Sequence, residues 1–153
     1  MLFSLFLACA SLFNAPVHGV VVRGFEPPSC DYCAGHRGVS VAVVEGSTVR
    51  AISDGTITFA GEVGGNLFVV LQFAPDLRLT YGYLKDMVND TGTEVAGGDV
   101  VTRGAVLGHS NARVYLGVRR GHRPVNPTPY ISAKRARLVS PSGAICGIRE
   151  SPR

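Results

Sequence analysis

Short runs rich in Val, Ile, Thr, Leu and Phe alternate with turn signals at Glu45-Gly46, Asp54-Gly55, Gly64-Gly65-Asn66, Ala74-Pro75-Asp76 and Gly97-Gly98-Asp99. This punctuation sets the tightest limit on how the chain folds. β-Branched side chains suit a pleated, half-buried surface, and each turn cluster ends a run after one short strand. Turns recurring roughly every eight to twelve residues predict an all-β fold of antiparallel strands. Strands are expected at 20–23, 39–44, 48–52, 55–60, 67–73, 78–84 and 113–119, with a further candidate at 137–139. No stretch keeps a helical apolar period long enough to compete.

The 153 residues are 46% hydrophobic and 17% charged, enough apolar material for one core and too little length for two. Residues 1–13, MLFSLFLACASLF, carry no charge and run into the turn-like NAPVHG. They read as the apolar part of an export signal within a leader assigned to residues 1–22. A helix of that length spans about 20 Å, short of the roughly 30 Å of a bilayer core, so a membrane span is not expected. The lack of Lys or Arg near Met1 leaves a buried N-terminal strand as the alternative.

The formal charge of +4 is concentrated late, in Arg119, Arg120, Arg123, Lys134, Arg135, Arg137, Arg149 and Arg153. A basic face suits an acidic wall polymer, a membrane surface or nucleic acid. Aromatic and basic residues do not interleave, so no specific nucleic-acid partner is expected. Residues 132–153 read as a basic, peripheral tail.

The motifs taken in order are GHRGVSVAVVEGSTVRAISDGTITFAGEVGG, LTYGYL, GTEVAGGDVVTRGAVLGHS and RVYLGVRRGHRPVNPTPYI. Together they resemble the peptidase M23 family, the LytM or lysostaphin-type domain, over residues 23–131. The resemblance implies antiparallel β-sheets around a groove, a barrel-sandwich hybrid. It also implies bacterial export, with the protein in the cell envelope or outside the cell, and action on peptidoglycan. Members of that family are zinc peptidases with three protein ligands, drawn from an H-x3-D motif and from the second His of H-x-H. The open fourth position of such a zinc carries the reactive water.

Carried over residue by residue, His36 matches the first ligand, whereas Ser40 stands at the Asp position and Tyr115 at the third-ligand position. Arg113 occupies the place of a catalytic His, and Tyr83 that of the His in the YxHL segment. A guanidinium repels a dication and cannot act as a general base, because its pKa lies above about 12. The resemblance with these replacements implies a non-catalytic domain. His36, Ser40, Tyr83, Arg113 and Tyr115 would line a groove that binds peptidoglycan or regulates a cell-wall hydrolase, in a membrane-proximal location or beyond. No cofactor is expected. The alternatives are an active zinc metalloendopeptidase with a rebuilt site, which would need Zn, and a structural, basic interaction domain.

Cys30, Cys33 and Cys146 remain after the leader. A disulfide from Cys146 to Cys30 or Cys33, stapling the tail, is the favoured pairing. A Cys3His metal set with His36 and free or locally paired thiols stay open. His109 and His122 read as surface loop residues.

Overall fold

The computed structural model describes residues 15–131. The leading residues 1–14, the tail from 132, the candidate strand at 137–139 and Cys146 lie outside the described residues. Among the described residues nine strands and one helical turn follow in order: β1 (Val20–Arg23), β2 (Val39–Ala42), β3 (Thr48–Arg50), β4 (Gly55–Val63), β5 (Asn66–Ala74), β6 (Leu77–Asp86), β7 (Val100–Val101), β8 (Val106–Arg120), β9 (Arg123–Val125) and α1 (Thr128–Ile131). The expected antiparallel β architecture is present, and it is one continuous sheet in the order β1-β2-β8-β6-β5-β4-β7, with β3 and β9 also paired to β8. Among the described residues no helix is long and apolar enough to cross a membrane.

The core forms because apolar residues alternate. Val39 and Val41 of β2, Val69 and Leu71 of β5, Leu79 and Tyr81 of β6, and Val114, Leu116 and Val118 of β8 all turn inward and are buried. Strand period two then sends the intervening residues to the opposite face. Tyr81 is fully buried, and its hydroxyl accepts the backbone N–H of Ile52 at 3.1 Å, so the phenol satisfies an amide that would otherwise be orphaned. Burial pushes its pKa well above the ordinary phenol value.

Two features depart from the expectation. β8 runs fifteen residues where seven were expected, because β6 pairs along most of its length while β3 joins its first half and β2 and β9 its second. The strands β7 and β9 and the turn α1 are too short to leave a periodic signal.

Candidate functional site

β2 and β8 lie side by side with Ser40 opposite Tyr115 and Ala42 opposite Arg113. Their neighbours Val39, Val41, Val114 and Leu116 fill the core, so Ser40, Arg113 and Tyr115 share the outer face. His36 enters just before β2, where an isolated antiparallel bridge ties it to Glu26 through two backbone hydrogen bonds of 2.9 Å. Its Nδ1 lies 2.8 Å from the Gly24 carbonyl, which accepts only, so Nδ1 carries the proton. In the uncharged ring Nε2 then keeps its lone pair, which accepts the Ser40 hydroxyl at 3.3 Å.

The Tyr115 ring meets His36 edge-on, with centroids 5.7 Å apart and an interplanar angle of 79°. Glycines make room for it. A Cβ on Gly117 would lie 2.7 Å from the Tyr115 hydroxyl, and one on Gly38 would lie 2.7 Å from the Tyr115 ring and 2.5 Å from the Leu116 carbonyl. Those contacts lie below any normal carbon separation, so bare backbone at both positions lets the ring rest flat on the sheet. Burial raises the pKa of the phenol, and the nearby Arg119 and Arg37 charges offset only part of that.

Tyr83 reaches the same face by a different device. Among the described residues it is the non-glycine with positive φ, at 61°, and it sits where the β6–β8 register jumps between Gly82 and Leu84. A bulge re-aims a side chain, and here it sets the Tyr83 ring 6.4 Å from Tyr115 and 5.9 Å from Phe68. The Asn111 side-chain amide donates to the carbonyls of Tyr83 and Leu84 at 3.2 Å each, bracing the bulge. Neither Phe68 nor Asn111 carries a sequence signal for this role, because both act across a register fixed only by folding. Arg113 is exposed and makes no ion pair among the described residues.

The fold therefore gathers His36, Ser40, Tyr83 and Tyr115, with Arg113 on the same face. Against the zinc that the resemblance implies, this donor set does not fit. One imidazole is oriented as a ligand would be, through its Nδ1–H to a carbonyl. The remaining donors are a neutral hydroxyl already engaged with that imidazole and a phenol held in its protonated form. Zinc takes thiolate, imidazole or carboxylate donors, and no group of three His, Cys, Asp or Glu side chains converges among the described residues.

The favoured disulfide is corrected by the structure. Cys30 bonds to Cys33, not to Cys146. The intervening turn brings the two together, with the Cys33 N–H donating to the Cys30 carbonyl at 3.1 Å and the Arg37 guanidinium donating to the Asp31 carbonyl. Both thiols are consumed, so they are not available to a Cys3His set with His36. His109, expected on a loop, lies in β8, with its Nδ1 2.9 Å from Asp86 Oδ1. A depression lined by Pro16, Val17, His18, Ser47, Thr48 and Arg50 shares no residue with the His36 face.

Comparisons with known proteins agree with the fold. The Escherichia coli (strain K12) murein hydrolase activator EnvC is 30% identical over 97 residues, which cover 62% of this chain and 23% of that protein. The DD-carboxypeptidase/endopeptidase Mpg of Neisseria meningitidis serogroup B is 33% identical over 94 residues, covering 60% of this chain and 22% of Mpg. The chain thus spans less than a quarter of the length of either relative. Among solved structures, Helicobacter pylori Csd3 in its orthorhombic crystal matches with a TM-score of 0.66 and 25% identity, over 84% of this chain and 37% of that one. Residues 34–127 match Peptidase family M23, and the chain belongs to that family.

Proposed function

We propose that this is a non-catalytic M23 domain of the bacterial cell envelope, exported and bound to peptidoglycan through the His36 face. The observation that carries the reading is the His36–Ser40 hydrogen bond. The one imidazole aimed into the site spends its lone pair on a hydroxyl, where an ion-binding site would place a carboxylate. Arg113, beside it on the same face, is a permanent cation suited to a carboxylate of a stem peptide through paired N–H donors. Tyr83 and Tyr115 add aromatic surface against the peptide backbone.

A second reading, regulation of a cell-wall hydrolase, is favoured by the 30% identity to a protein named as a murein hydrolase activator. In that case the same face meets a protein surface. Retention on purified, insoluble peptidoglycan separates the two. The wild-type protein is expected to sediment with it, and Arg113→Ala to weaken retention. Equal retention of both proteins removes the role of Arg113. Cleavage of peptidoglycan fragments that stops on chelation overturns the non-catalytic reading.

A further inference from the structure

Beyond Tyr115, the outer face of β8 continues through Gly117 to Arg119, and Arg119 stands directly across from Arg78 of β6. Both are exposed, and both flank core residues, Leu79 on β6 and Val118 on β8, so their side chains leave the sheet on the side of Tyr115. Like charges in direct cross-strand register repel. The row that contains them supplies no compensation: Gln72 of β5 lies opposite Arg78, and Pro124 of β9 opposite Arg119. The neighbouring acid, Asp76, faces Arg120 at 3.6 Å. Among the described residues neither Arg78 nor Arg119 has an ion-pair partner.

We infer that Arg78 and Arg119 form a second anion-binding station, which takes a carboxylate of an extended acidic peptide lying along β8 from Arg113. This rests on the stem-peptide reading above and extends it. Arg113 and Arg119 are six residues apart on one strand, a span of about 20 Å, which is the reach of a stretched peptide of about six residues. The Tyr115 hydroxyl lies over Gly117 between the two stations, so a chain crossing from one to the other passes along bare backbone and an aromatic ring. Two guanidiniums on adjacent strands converge on one carboxylate more closely than either alone, and the ligand relieves their mutual repulsion.

The test measures binding of poly-L-glutamate and of soluble peptidoglycan fragments, with free or amidated carboxylates, at low and moderate salt. Wild type, the double variant Arg78→Gln/Arg119→Gln and Arg113→Gln are compared. The double variant is expected to bind both free-carboxylate probes about threefold to tenfold more weakly, as two exposed ion pairs allow. It is also expected to melt at the same or a slightly higher temperature, because a repulsion is removed. A structural role for the two arginines would lower the melting temperature instead. Wild-type affinity in the double variant, or undiminished binding of amidated fragments, overturns the station. Arginine-dependent binding of poly-L-glutamate without binding of peptidoglycan fragments upholds the station and overturns the stem-peptide reading. Tighter binding of a DNA duplex than of either acidic probe overturns the peptide as occupant.

Discussion

Ser40 Oγ lies 3.3 Å from His36 Nε2, on the side of the imidazole opposite the Gly24 carbonyl that fixes its tautomer. The pair is held in ligand-like geometry by a second strand, since Ser40 is opposite Tyr115 in the β2–β8 register. Restoring donors should therefore restore ion binding without rebuilding the backbone. The triple variant Ser40→Asp/Arg113→His/Tyr115→His is expected to hold close to one zinc per chain after dialysis, and the wild type far less. Elemental analysis of both purified proteins checks it. Stoichiometric zinc in the wild type would show that the donor argument is wrong.

The bulge at Tyr83 predicts an unusual order of substitutions. A non-glycine residue at φ 61° carries a backbone cost of about 1 kcal/mol that glycine does not. Tyr83→Gly and Tyr83→Ala lose the same ring contacts, so Tyr83→Gly is expected to be the more stable variant by about that amount. Urea unfolding of the two measures the difference. The reverse order would mean that the left-handed conformation is not kept in solution.

Gly117 predicts a rescue. Gly117→Ala places a methyl group against the phenol of Tyr115, with an expected loss of about 1–3 kcal/mol from overpacking. Adding Tyr115→Ala removes the obstacle, so the double variant should lose less than the sum of the single losses. Gly38→Ala should not be rescued in the same way, because there the Leu116 carbonyl also stands in the path. A double-mutant cycle by chemical denaturation separates the two cases.

The His109–Asp86 pair contributes to the acid side of the stability curve. Partial burial opposes ionisation of Asp86, but hydrogen bonds from His109 and the Val88 N–H, together with the His109 charge, outweigh it and hold the carboxyl below its ordinary value. A pKa lower in the folded than in the unfolded chain gives stability that is present above the unfolded value, about 4, and is lost as pH falls through the folded one. Asp86→Asn is expected to flatten this acid limb. It should cost no more than about 1 kcal/mol at neutral pH, because the pair is partly open to solvent. Thermal melts between pH 2 and pH 7 provide the readout, and an unchanged acid limb in Asp86→Asn would assign it to other carboxylates.

How much of this was legible beforehand follows from the reach of each interaction. β-Branched runs and the turns between them are local, and they announced the β class, whereas the inward alternation of Val114, Leu116 and Val118 is seen in the folded sheet. His36, Ser40, Arg113 and Tyr115 were named by matching short segments to the motifs of the family that the sequence resembles, and such a match is likewise local. Their placement on one face followed from a register between β2 and β8, strands more than sixty residues apart, and only the folded sheet sets that pairing. The same holds for Tyr83, whose left-handed backbone exists because β6 must slip past β8 and is braced there by Asn111. It holds equally for Arg78, whose exposed charge is unremarkable until Arg119 is placed opposite it. The cysteines mark the boundary most plainly. Their identities limited the pairings, but which sulfur reached which was decided by the turn from Cys30 to Cys33, whose backbone hydrogen bond draws the two side chains together. Composition and period fix what each residue prefers, while register between distant strands decides which of those preferences meet.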